Sequence, residues 1–256
     1  LYRGNGANRT ITNQIDLAGE GGLVWIKGRN VAYYHTLQDN VSGFTGTTNY
    51  LTTNDPYIAN TTANYVTGFN NNGFDLGNGG QTNINGYDFT SWTFRKAPGF
   101  FTICSWTGTG YGSRQISHDL GSVPGCIMIK RTDAINNWIV WHRSIQTSTA
   151  ADVYYMNLNT NGSRQERYQM FNDQSPTSTH FVVGTDPEVN AENGTYVAYV
   201  FAHDDQSFGN DGNASIIKCG SYTGNGSTNG TVVNLGFEPQ WLLIKRYESS
   251  NQEWVI

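Results

Sequence analysis

The chain has 256 residues, of which 37% are hydrophobic and 14% charged, and it carries a net charge of −5. No apolar run approaches the ~18 residues that cross a bilayer, which argues against membrane insertion, coiled coil and charged linker alike. Its 15 Lys and Arg are scattered and offer no cationic stripe for nucleic acid, while 13% aromatics supply burial that a disordered chain lacks.

In chain order, most apolar segments are four to seven residues long and end at Gly, Asn, Asp or Pro, as strands and turns do. Leu23-Val24-Trp25-Ile26 reads as a strand running into Lys27, and Phe89-Thr90-Ser91-Trp92-Thr93-Phe94 as an aromatic strand. Cys126-Ile127-Met128-Ile129 runs into Lys130 in the same way, followed by Trp138-Ile139-Val140-Trp141-His142. Tyr196-Val197-Ala198-Tyr199-Val200-Phe201 is an apolar run of the kind found inside a sandwich. Trp241-Leu242-Leu243-Ile244-Lys245 and Trp254-Val255-Ile256 close the chain. Asn-Gly or Asp-Gly pairs at Asn72, Asn78, Asn85, Asn161, Asn193, Asp211 and Asn229 suit positive φ and predict type I′ hairpins. Amphipathic helices are not seen, which removes a βαβ design.

The segments repeat in order. Tyr2-Arg3-Gly4-Asn5-Gly6 matches Trp106-Thr107-Gly108-Thr109-Gly110 and Tyr222-Thr223-Gly224-Asn225-Gly226. The strands ending at Lys27, Lys130 and Lys245 match, as do Phe74 with Phe181 and Phe89–Phe94 with Tyr196–Phe201. His35 is matched to His142. This predicts an all-β chain of tandem antiparallel β-sandwich, jelly-roll-like modules joined end to end: 1–98, 99–214, and the start of an incomplete third at 215–256. A half-built third module would leave open edges, so the native polypeptide is expected to continue past Ile256.

These motifs resemble the repeat modules of long virion proteins in marine, cyanophage-like bacteriophages. The resemblance rests on Gly22-Leu23-Val24-Trp25-Ile26-Lys27, His35, Leu51-Thr52-Thr53-Asn54, Gly68 through Gly77 and Trp92-Thr93-Phe94-Arg95-Lys96, in that order. It departs at Ser42-Gly43, where the family often has arginine before glycine, and module 2 loses most of the asparagine-glycine-phenylalanine string. The resemblance implies a tail fibre or other appendage on the virion, and no catalytic residues.

Signals for chemistry are sparse. His35, His118, His142, His180 and His203 form no HxH, HExxH or Cys/His cluster, and His35 and His142 read as structural. Cys104, Cys126 and Cys219 lack CxxC spacing and read as free buried thiols. The oxygen-rich stretch 203–213 fails the EF-hand register and reads as a linker with Asx turns. Asp152 and Glu166 are the carboxylates one would propose for glycoside hydrolysis, but neither has a counterpart in module 1 or a local signature.

No catalytic, cofactor-binding or metal residue is therefore named. The sequence reads as a non-enzymatic virion structural protein, most simply a phage tail fibre or appendage that contributes to host attachment. Its expected partners are other virion proteins, its own copies in a homo-oligomer (a trimer favoured), and a host-surface glycan. A bacterial extracellular adhesin or filament subunit, and a polysaccharide-degrading tailspike, are the alternatives.

Overall fold

The computed structural model describes residues 1–43, 46–61, 64–146 and 153–256. The first half contains β1 (Tyr2–Arg3), β2 (Arg9–Thr12), β3 (Gly22–Gly28), β4 (Thr36–Asp39), β5 (Asn49–Thr52), β6 (Asn60–Thr61), β7 (Val66–Asn70), β8 (Gly73–Leu76), the single-turn helix α1 (Gly80–Asn83) and β9 (Asp88–Arg95). The second contains β10 (Phe101–Thr107), β11 (Arg114–Ser117), β12 (Pro124–Arg131), β13 (Ile139–His142), β14 (Tyr154–Asn157), β15 (Gln165–Glu166), α2 (Tyr168–Phe171), β16 (His180–Val183), α3 (Pro187–Asn190) and β17 (Thr195–Ala202). Both halves build an antiparallel six-stranded sheet, ordered β1-β9-β3-β4-β5-β6 and β10-β17-β12-β13-β14-β15. Taken strand for strand, the two orders are the same. A smaller sheet accompanies each: β2-β8-β7 in the first half and β11-β16 in the second.

Side-chain alternation explains the layering. Along β3, Val24 and Ile26 pack with Phe74, Leu76 and Phe89 of their own half, while Leu23 and Trp25 point the other way. Along β12, Ile127 and Ile129 pack with Phe181, Val183 and Tyr196, while Cys126 and Met128 point the other way. The residues pointing the other way belong to one shared core, which joins Leu23, Trp25, Leu37, Leu51 and Phe94 to Phe101, Ile103, Met128, Trp138, Val140, Tyr199 and Phe201. Both faces of each large sheet are thus covered, which is why β3, β12 and β17 are buried at nearly every position. The sequence predicted modules joined end to end. The structure instead packs the two large sheets face to face, because each has a second apolar face to bury.

Polar contacts fix this joint. Trp138 Nε1 donates to Thr52 O at 2.8 Å, Asn136 N to Pro56 O at 3.0 Å, and Ala59 N to Thr132 O at 2.9 Å. The hydroxyl of Tyr199 donates to Asp39 Oδ2 at 2.8 Å, and the same buried carboxylate accepts from Val41 N and Ser42 N. A buried carboxylate persists only when hydrogen-bonded in this way.

Each half is also locked internally. The buried amides of Asn83 and Asn190 donate to Gly77 O and Gly184 O, both at 2.8 Å, and accept from Asn5 N and Thr109 N. A Cβ on Gly4 or Gly108 would run into the carbonyl oxygen of Ile84 or Ala191, which explains the repeated aromatic-x-Gly-x-Gly string. Tyr2 stacks on Phe89 and Trp106 on Tyr196, both pairs at 5.3 Å.

Two expectations are corrected. Strand register pairs Ile26 with Thr36 and Ile129 with Ile139, so His35 is equivalent to Trp138, and His142 to Asp39. The two histidines are therefore not repeat-equivalent. The Asn-Gly and Asp-Gly pairs do not form type I′ turns: none has positive φ at both residues. Asn78-Gly79, for example, leads from β8 into α1 rather than closing a hairpin.

Residues 215–256 form no strand, only one isolated bridge, Ile244 with Val255. They nevertheless dock on the second half as the second half docks on the first. Trp254 Nε1 donates to Asn157 O at 2.9 Å, Gln252 N to Asn161 O at 3.3 Å, and Arg164 N to Tyr247 O at 2.8 Å. Thr52 and Asn157 both end the fifth strand of their sheet, so these bonds reproduce the first joint position by position.

Because the core is shared, the two sheets should unfold together. Trp138→Ala is expected to lower stability by about 3–5 kcal/mol, with coincident urea transitions by far-ultraviolet circular dichroism and tryptophan fluorescence. Two separated transitions would mean independent halves.

Candidate functional site

A polar cleft of about 380 Å³ opens on the second half. Its walls come from four places: Asn136 and Asn137 from the loop before β13, Tyr155 and Asn157 from β14, Gln165 and Arg167 at β15, and Asp186 and Glu188 at the start of α3. The run Asp186-Pro187-Glu188 places its acids by helix chemistry. Asp186 caps α3, accepting from Glu188 N at 2.9 Å, and Pro187 occupies the first helical position.

Arg167 organises the charges. Its Nη1 donates to Asp186 Oδ2 at 2.7 Å and to Glu188 Oε2 at 3.4 Å, and its guanidinium lies over the Tyr155 ring at 5.7 Å. Asn137 Nδ2 reaches Glu188 Oε1 at 3.4 Å, and Tyr155 donates to Gln165 Oε1 at 2.9 Å. Burial, then the neighbouring Asp186, raises the Glu188 carboxyl above its ordinary pKa, while the hydrogen bond with Asp186 raises Arg167. Behind the cleft, fully buried Lys130 donates to Asn136 O at 2.8 Å and to Pro56 O at 3.1 Å. Burial lowers its pKa to about 8.

The first half serves as an internal control. With Asn83 equivalent to Asn190, Gly79 and Gln81 stand where the second half has Asp186 and Glu188, and α1 forms without a side-chain cap. The repeat therefore folds without these charges, and they are a property of the second half alone. Amides, carboxylates and a guanidinium at one opening present directional donors and acceptors, the chemistry that reads a polyhydroxylated ligand.

The residues weighed from sequence lie elsewhere. Glu166 is exposed on β15 and does not line the cleft, and Asp152 lies outside the described residues. His35 Nδ1 accepts from Trp25 Nε1 at 3.2 Å, and His142 Nδ1 from Ser144 N at 3.1 Å. Burial lowers both to about 4, helped by Lys27 at His35 and by Arg143 and His203 at His142. His118 and His180 hydrogen-bond around Thr177, and His203 accepts from Cys219 N at 3.1 Å. The three thiols are unpaired. In the stretch 203–213, Asp205 accepts from Ser207 N at 3.1 Å, an Asx turn, and Asp204 pairs with Lys218 at 3.5 Å. Among the described residues no group of three or more His, Cys, Asp or Glu is placed to hold a metal. Sequence reasoning missed Arg167, Asp186 and Glu188, although Asp-Pro-Glu is a readable helix start.

A family model described as a domain of unknown function, DUF7483, matches residues 1–256. The chain belongs to the DUF7483 family. No curated protein and no solved structure matches it.

Lys130 gives a pH prediction. Its folded pKa of about 8 lies below the ordinary 10.5, so between those values the unfolded chain holds a proton that the folded chain has lost. Its contribution to stability rises with pH across that window. Lys130→Met is expected to flatten this rise in urea titrations from pH 7.5 to 10.5; an unchanged slope would place the effect on another group.

Proposed function

We propose that this chain is a non-enzymatic structural protein of a virion, built from tandem β-sandwich modules (1–98, 99–214 and 215–256) in a tail fibre or related appendage, and that it contributes to host-surface attachment. One observation carries the structural half: the joint at Thr52, Pro56 and Ala59 recurs at Asn157, Asn161 and Arg164. A chain whose copies dock through one repeated joint grows in length by adding copies, which suits an appendage. The motif resemblance to marine phage modules supplies the virion setting. Contacts with other virion proteins and a homotrimeric assembly belong to the same reading.

The attachment half rests on the cleft, with a host-surface glycan as its ligand. Arg167, Asp186, Glu188 and the amides of Asn136, Asn137 and Gln165 supply hydrogen-bonding groups, and the two carboxylates have no counterpart at the equivalent helix of the first half, where Gly79 and Gln81 stand. A polysaccharide-degrading spike is the second reading, favoured by the raised carboxyl of Glu188 beside Asp186. It is the weaker one, since both carboxylates are engaged by a single guanidinium nitrogen rather than standing on opposite sides of an open space.

Immunogold labelling of purified particles tests the setting: label on an appendage is expected, and particles without label would overturn it. For attachment, Arg167→Ala and Glu188→Gln are each expected to weaken retention on host envelope polysaccharide by about tenfold with no release of reducing sugar. Unchanged retention would remove the glycan role, and sugar release that depends on Glu188 would establish the spike.

A further inference from the structure

A second opening, of about 360 Å³, lies at the other end of β13 from the polar cleft. It sits where β12 starts and where β13 and β17 end, so the antiparallel order brings Pro124, Trp141 and His203 to one end of the sheet. Its walls divide by chemistry. Val123, Pro124, Trp141 and Pro176 present apolar surface, whereas Arg143, His203 and Ser175 bring hydrogen-bond donors. Gln146 also lines the opening but is already engaged: its Nε2 donates to Tyr154 O at 2.8 Å and its Oε1 accepts from Tyr154 N at 3.1 Å.

Two of the donors have no partner in the fold. Arg143 is exposed and, among the described residues, makes neither a hydrogen bond nor an ion pair. His203 Nδ1 accepts from Cys219 N at 3.1 Å, so in the neutral ring the proton sits on Nε2 and that N–H remains to be donated. The local charge is positive. Arg143 lies near enough to His142 and His203 to add to the lowering of both imidazoles by burial. Among the described residues no carboxylate lines the opening, and Asp204, next to His203 in the chain, is held by Lys218 at 3.5 Å.

The first half shows the same corner satisfied from within. By strand register Asn40 stands for Arg143, Gln38 for Trp141 and Lys96 for His203. Asn40 Nδ2 donates to Leu17 O at 2.7 Å and its Oδ1 accepts from Gly22 N at 2.9 Å. Gln38 donates to Gly46 O and accepts from Val66 N at 2.9 Å, and Lys96 pairs with Asp119 at 3.0 Å. One copy of the repeat therefore uses these positions to tie its own loops. The other leaves a guanidinium and an imidazole N–H beside an apolar wall.

A guanidinium selects a planar oxyanion, and an apolar wall beside it selects the body that carries the anion. The volume falls within the ~300–1,000 Å³ of small-molecule sites and has room for one sugar-sized ring. We propose that this opening is a binding site for a carboxylate carried on a ring with an apolar face, the chemistry of a uronic acid. Arg143 and His203 Nε2 hold the carboxylate, and Val123, Pro124, Trp141 and Pro176 receive the ring. The site shares no residue with the polar cleft, so each can fail without the other.

The test is nuclear magnetic resonance of the whole chain, titrated at neutral pH with glucuronate, glucose, acetate and inorganic phosphate. Glucuronate is expected to shift the Arg143 Nε proton and the His203 ring, and to bind about tenfold more tightly than acetate or phosphate. Glucose is expected to move neither. Arg143→Gln, at an exposed position without partners, should keep the urea transition and weaken glucuronate binding by about tenfold. The proposal is overturned if glucuronate leaves both resonances in place, if glucose shifts them as strongly, or if Arg143→Gln binds unchanged. It is also overturned if acetate or phosphate matches glucuronate, which would mean an adventitious ion only, or if the shifts fall at Arg167 and Tyr155 instead.

Discussion

A β-sheet that is apolar on both faces needs two covers, and this constraint organises the molecule. A small sheet covers one face of each six-stranded sheet. The apolar face of the neighbouring half covers the second, with Trp241, Leu243 and Trp254 packed against the same core. Each side chain buried there contributes roughly 1.5–3 kcal/mol, so exposing the shared face would remove a large fraction of a typical domain's stability. The directional bonds at Trp138, Asn136 and Tyr199 then select one arrangement from the many that apolar contact alone would allow.

Repetition separates what the fold requires from what it does not. Asn83 and Asn190, Gly4 and Gly108, and the stacked pairs Tyr2–Phe89 and Trp106–Tyr196 recur because each sheet needs them to close. Arg167, Asp186 and Glu188 do not recur, and α1 forms without them. A chain that holds its scaffold constant can vary the openings between copies at little risk to folding.

Much of the fold was legible in the sequence. Short apolar runs between Gly and Asn indicated an all-β chain, and the lysine-ending strands located the repeats. The face-to-face packing was not legible, because a strand buried on both sides loses the polar alternation that reveals its direction; Tyr196–Phe201 looks the same whichever face meets which neighbour. His35 was matched to His142 by residue type, whereas hydrogen-bond register sets it against Trp138. The cleft was missed for a related reason: a search for repeats draws attention to recurring residues, and Asp186 and Glu188 belong to one copy. Their convergence with Arg167 depends on β15 lying beside β14, a pairing of two residues with no sequence signature.

The central claim, that the two large sheets share one core, is tested most directly at the Trp138 indole by nuclear magnetic resonance in solution. The face-to-face arrangement predicts cross-relaxation from the Trp138 Nε1 proton to protons of Thr52 and Thr53, together with slow exchange of that indole proton. An indole proton that exchanges at the rate of a solvent-exposed tryptophan, with no cross-peak to the Thr52 region, would contradict it.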